Sequence, residues 1–138
     1  MSQSFVVDAS VAFAWIHPNQ ATDATNKLLS EVEEGAVIVV PPLWFSEVAN
    51  SLLVLQRRKK LTLEERRVAL ETLLKLTLTV DEEPGKVAFG RTSEIAEQCN
   101  LTVYDATYLE VCLRRKLALA TRDDGLAVAA KKAGVKLI

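Results

Sequence analysis

The chain has one histidine, His17, and two cysteines, Cys99 and Cys112, with no CxxC spacing. A structural zinc centre needs about four His or Cys ligands, so that class of site is excluded, and the sparse cysteines point to a reducing, cytoplasmic setting. Neither charge is in excess: 17 Lys+Arg stand against 18 Asp+Glu, a formal net charge of −1. Attachment to nucleic acid by bulk positive charge is therefore ruled out, because that affinity comes from neutralising phosphates. Any nucleic-acid activity must be local. The longest apolar run, Ala36 to Phe45, is about half of what a bilayer-spanning helix needs and carries two prolines, so no membrane association is expected. No basic segment precedes an apolar stretch at Met1-Ser2-Gln3-Ser4, which argues against a secretory signal. Only 5 glycines and 4 prolines are present, and none clusters into a linker. What is there is 138 residues, 49% of them hydrophobic, which excludes disorder and suits one domain spanning 1–138.

Short β-branched runs alternate with longer amphipathic stretches, the pattern of an α/β domain built on a parallel sheet. The spacing predicts strands at Phe5-Val6-Val7, at Ala36 to Val40 where Pro41-Pro42 stops the run, at Thr77 to Val80, at Ala118 to Thr121 and at Val135 to Ile138. Helices are predicted over 21–34, 43–58, from the Thr62/Glu65 capping box onward, and over 86–98, 104–115 and 124–133. The expectation is about five short strands flanked by about seven helices.

Four acids are placed unlike the rest. Asp8 directly follows the first strand, where open α/β sheets collect ligands, although it would also cap the next helix. Glu47 borders the apolar stripe of Trp44, Val48 and Leu52, with Asn50 on its face, and is either a boundary residue or part of a polar site. Asp105 opens a helix three residues after Thr102, which suits the helix dipole as well as a site. Asp123 follows the strand ending at Thr121, with Asp124 beside it as an equally plausible cap. In a parallel sheet the C-terminal strand ends share one edge with the helix N-termini. Carboxylates gathered there would repel and take up protons unless a cation neutralised them. An all-oxygen ligand set selects Mg²⁺ or Mn²⁺ over zinc, and Mg²⁺ commonly completes its shell with phosphate.

Four segments, in this order, resemble a known family: Val6-Val7-Asp8-Ala9-Ser10, Ser46-Glu47-Val48-Ala49-Asn50, Leu101 to Leu109 around Asp105, and Leu119-Ala120-Thr121-Arg122-Asp123-Asp124-Gly125-Leu126. Together they are similar to PIN-domain ribonucleases of the VapC type, toxins of toxin–antitoxin pairs. The resemblance implies a PIN-like fold and an Mg²⁺-dependent endoribonuclease, with Mn²⁺ able to substitute. It places the catalytic, metal-binding quartet on Asp8, Glu47, Asp105 and Asp123, with Glu47 bound directly or through water. Ser10, Asn50 and Thr121 fall on the supporting polar positions. It also implies activation of a water for in-line attack on RNA, products with a 5′-phosphate and a 3′-hydroxyl, a cognate VapB-like antitoxin as partner, and a homodimer. Two alternatives stand beside it: an RNA-processing nuclease of the same fold without an antitoxin, and an idle interaction module whose acids only cap helices.

The basic residues fall in local groups: Arg57-Arg58-Lys59-Lys60, Arg66-Arg67, Arg114-Arg115-Lys116 and Lys131-Lys132. Their placement near helix C-termini suggests solvated ends. Arg122 is the better-placed RNA contact. Trp15, Trp44 and Phe45 are expected in the core, Trp15 being the one of the three most apt to meet a partner, and His17 is expected at the surface. The leucine-rich stretches 52–55 and 70–78 are candidate contacts for a dimer or an antitoxin.

Overall fold

A computed structural model describes residues 3–138. Among them are four strands and seven α-helices, in the order β1 Ser4–Val7, α1 Ala9–Ile16, α2 Asp23–Glu33, β2 Val37–Val40, α3 Leu43–Arg57, α4 Leu63–Leu74, β3 Leu78–Val80, α5 Ser93–Cys99, α6 Val103–Arg115, β4 Ala118–Ala120 and α7 Asp124–Lys132. The strands pair in the order β3-β2-β1-β4, all parallel. Parallel neighbours require crossover connections, which the intervening helices supply. β1 lies inside the sheet, and its Phe5, Val6 and Val7 have no exposed surface, as a strand covered on both faces must be apolar throughout.

The predicted fifth strand shrinks to a single parallel bridge between Leu119 and Leu137. The helix predicted over 86–98 divides into a π-helical turn at Ala88–Thr92 and α5. The other predicted helices lie within about two residues of their expected ends. The Thr62/Glu65 capping box forms as expected, with Glu65 accepting from the Thr62 N–H at 2.9 Å. Gly134, at φ +83°, takes the left-handed conformation that stops α7.

Strand register determines which side chains emerge at the C-terminal edge of the sheet. Val7 pairs with Ala120, so the next residues, Asp8 and Thr121, lie side by side there. Val40 pairs with Val80, which brings Asp81 out at the same edge, at the far side of the sheet. Cys99 is half-buried and Cys112 buried, and both are free thiols. No helix among the described residues is long and apolar enough to cross a membrane.

Candidate active site

Asp8 is the N-cap of α1, its Oδ1 accepting the Val11 N–H at 3.3 Å. It is also clamped by two hydroxyls. Ser10 Oγ donates to Oδ1 at 2.6 Å, and Thr121 Oγ1 donates to Oδ2. Each hydroxyl in turn accepts a backbone N–H from the loop after β4, Ser10 from Arg122 at 2.9 Å and Thr121 from Asp123 at 3.0 Å. Because the loop N–H groups occupy acceptor sites on the hydroxyls, the hydroxyl protons point at Asp8 and present it with a fixed array of donors. Asp8 is 5% exposed. Burial raises its pKa against the lowering effect of these hydrogen bonds.

The other three acids of the expected quartet line the same cleft, a space of about 640 Å³. Glu47 projects from α3 and accepts a hydrogen bond from the Tyr108 hydroxyl of α6 at 2.5 Å. Tyr108 is buried, and burial together with Glu47 raises its pKa, so the phenol stays the donor. Burial raises the Glu47 pKa, and the charges of Asp105 and Asp8 add to the shift. Asp105 opens α6, where Thr102 caps its N–H at 3.0 Å, and its pKa is raised by burial and then by Asp123 and Asp8. Asp123 caps α7 through Leu126 N–H to Oδ1 at 2.8 Å. A Cβ on Gly125 would lie 3.3 Å from that oxygen, so glycine leaves the carboxylate room. Asp123 lines the cleft, whereas Asp124 beside it does not, although both are exposed.

Asn50 and Ser10 line the cleft as expected. Arg122 does too, and it is the single cationic residue among the described residues doing so. Its guanidinium donates to the carbonyl and side-chain oxygens of Gln20, at 2.8 and 3.2 Å. Tyr108, Gln20 and Phe13 were not singled out in the sequence. Tyr108 carried a signal, since it lies three residues after Asp105 on one helix, but its ring fitted the apolar face equally well.

The donor set suits a hard divalent cation: four carboxylates, with no His or Cys. Among the described residues, no three such side chains close on one point as a ready-made cage. An open acidic floor that leaves most of the ion's shell to water and phosphate fits Mg²⁺ or Mn²⁺ better than a dedicated all-protein site.

A second group of acids at the same sheet edge is built differently. Asp81, 1% exposed, accepts from Arg114 at 2.6 and 3.1 Å and from Arg115, while Arg114 also binds the fully buried Glu110 at 3.0 Å and Glu83 at 3.3 Å. Burial pushes Asp81 up, but the two arginines outweigh it and hold its carboxyl below the usual range. Glu83 is pushed up to about 7 by burial and by Glu110 beside it. Arg114 and Arg115 are thus ion-pair partners rather than the solvated helix end expected of them. His17 is half-buried against Phe13, not at the surface. Trp44 is in the core; Trp15 is half-buried and donates its indole N–H to Thr25 O at 2.7 Å, whereas Phe45 is 36% exposed.

The PIN domain family model matches residues 5–132. A VapC ribonuclease of Mycobacterium bovis and ribonuclease VapC9 of Mycobacterium tuberculosis are each 35% identical over 118 residues, 86% of this chain and 84% of theirs. Among solved structures, the chain is similar to a Pyrobaculum aerophilum protein, with a TM-score of 0.71 and 23% identity over 94% of this chain and 86% of that one. It is also similar to VapBC2 of Rickettsia felis bound to a DNA fragment from its promoter, with a TM-score of 0.68 and 13% identity over 99% and 98% of the two chains. The corresponding values for FitAcB of Neisseria gonorrhoeae are 0.65 and 18% over 97% and 96%.

Proposed function

The chain belongs to the PIN domain family, and from that premise we propose that it is a divalent-metal-dependent endoribonuclease, a single PIN domain over 1–138, acting as the toxin of a toxin–antitoxin pair. One observation carries the reading: Asp8, Glu47, Asp105 and Asp123 come from four separate parts of the chain to one cleft, with Arg122 as the single cation lining it among the described residues. The names of the mycobacterial relatives support ribonuclease as the activity. The likeness to VapBC2 supports a cognate VapB-like antitoxin as partner. Action in the cytoplasm and a homodimer complete the proposal.

Asp8, Asp105 and Asp123 would hold the ion, with Glu47 joining directly or through water. A bound Mg²⁺ or Mn²⁺ supplies a more acidic water and neutralises charge on the phosphodiester. The chain's own residues do the rest. Ser10 and Thr121 keep Asp8 aimed into the cleft, and Tyr108 fixes Oε1 of Glu47, leaving Oε2 to accept a hydrogen bond from cleft water. Arg122 binds a phosphate oxygen of the RNA, offsetting the repulsion between an acidic floor and a polyanion. Hydrolysis leaves a 5′-phosphate and a 3′-hydroxyl. Purified protein should cleave RNA in Mg²⁺ and lose on the order of 10² to 10³ of its rate in Asp105→Asn. Undiminished cleavage by that variant would defeat the assignment.

A further inference from the structure

The cleft has two chemically different walls. The face that α3 turns toward it carries Glu47, Asn50, Ser51, Val54 and Leu55, at i, i+3, i+4, i+7 and i+8, so the stripe changes from acid to amide to hydroxyl to hydrocarbon. Ser51 spends its hydroxyl on the Glu47 carbonyl at 3.0 Å, which leaves Asn50 as the polar head between the two ends. From α1, Phe13 adds an aromatic ring to the same cleft, braced by His17, whose ring lies 5.3 Å away and only 19° from parallel. Phe13, Val54 and Leu55 are half-buried, left facing the open cleft rather than packed into the core. Holding a metal ion requires none of them.

We propose that Phe13, Val54 and Leu55 form a nucleobase subsite, taking the unpaired base of a nucleotide next to the scissile phosphate, with the Asn50 amide at the base's edge. This rests on the ribonuclease reading and deepens it by assigning the residues that hold one base of the RNA. Val54 is seven residues from Glu47 on one helix, about 10 Å at 1.5 Å per residue, so a strand with its phosphate over the acids has a neighbouring base at the apolar end. In an A-form duplex the base faces are stacked on one another, whereas in a single strand they can be splayed onto an aromatic ring. Stacking tolerates any base, since each has a π-face, while an amide offers both a donor and an acceptor to the edge. Arg122, which lines the same cleft, suits the next phosphate.

The test uses the full chain and a fluorescein-labelled, unstructured RNA of about twelve nucleotides, alongside copies in which each base in turn is removed to leave an abasic site. At one position near the cut, base removal should lower kcat/KM by about tenfold, within the range known for base stacking on aromatics. Phe13→Leu should cut the intact RNA no better than wild type cuts that abasic copy, and should not distinguish the two. Its melting temperature and Mn²⁺ isotherm should match wild type. The same loss of discrimination should appear in RNA binding, read by anisotropy in the Asp105→Asn background where cleavage is silenced. Flat abasic scans, equal cleavage of duplex and single strand, or discrimination that survives in Phe13→Leu would overturn the subsite and leave the ribonuclease reading standing. If Phe13→Leu keeps base discrimination but loses a binding protein, the wall is a protein-docking surface and the subsite is wrong. Absence of both RNA binding and cleavage in wild type would instead overturn the ribonuclease reading itself.

Discussion

Asp8 and Asp81 occupy equivalent places in the chain, each the first residue past a parallel strand, buried β1 in one case and half-exposed β3 in the other, and each aspartate is almost without exposed surface. Asp81 is met by two arginines, Arg114 and Arg115, and its carboxyl is held below the usual range. Asp8 is met by two hydroxyls, and burial raises its pKa, while its own charge adds to the rise at Glu47 and Asp105. One group of acids carries its cations in the sequence; the other does not. Buried carboxylates already neutralised by the chain act as a tie between β3 and α6. Carboxylates left short of positive charge at the edge of a parallel sheet are a place for something cationic from outside.

If that contrast is right, the two groups break in opposite ways. Arg114→Ala leaves Asp81 and Glu110 buried with lost partners and should cost about 3 kcal/mol of stability, seen as a lower midpoint in urea. The Mn²⁺ isotherm of the folded protein should not move. Tyr108→Phe removes one hydroxyl and keeps the ring. It should weaken Mn²⁺ binding by about tenfold with little change in the urea midpoint, and the effect should vanish in a Glu47→Ala background, where nothing remains to be positioned. An additive loss in that background would mean that Tyr108 acts through packing.

The smallest effect is in pH. Asp8, Glu47 and Asp105 have raised values in the folded chain, so the stability they contribute is complete below the ordinary carboxylate range and is lost as pH rises through the raised values. Asp81 has the opposite sign: its contribution is present above the ordinary value and is lost as pH falls through the lowered one. Glu83, at about 7, adds to the first group. Melting of the metal-free protein from about pH 4 to about pH 7 should therefore show a destabilising component on the alkaline side. In Asp8→Asn/Glu47→Gln/Asp105→Asn that component should shrink to the part due to Glu83, and an unchanged slope would place its origin elsewhere.

Much of the site was legible because it is made of local rules. An acid after a strand, or an acid in a first helical turn, marks Asp8, Asp105 and Asp123 without any tertiary information. Parallel strands bring those positions to one edge, as observed. Glu47 needed the resemblance, since an acid beside an apolar stripe reads equally as a boundary residue. The pairings that cross the chain were not legible. Tyr108 with Glu47, and Arg114 and Arg115 with Asp81, are joined by packing of distant elements, and a basic run at a helix end looks the same whether it meets water or a buried carboxylate. Asp81 follows Leu78-Thr79-Val80 much as Asp8 follows Phe5-Val6-Val7, a parallel visible in the sequence but without meaning until the partners are known. The last strand failed for a simpler reason: its backbone pairs with Leu119 alone, through Lys136 O and Ile138 N–H, which makes one bridge at Leu137 and no ladder.

The contrast stands or falls on whether the acidic cleft takes up a divalent ion. Titration calorimetry of Mn²⁺ into the wild-type chain and into Asp8→Asn tests it directly, because asparagine preserves the α1 cap while removing one charge from the floor. The prediction is a binding isotherm for wild type that collapses in Asp8→Asn, with the metal-free variant melting no lower than wild type. Superimposable isotherms, or none in either protein, would contradict it.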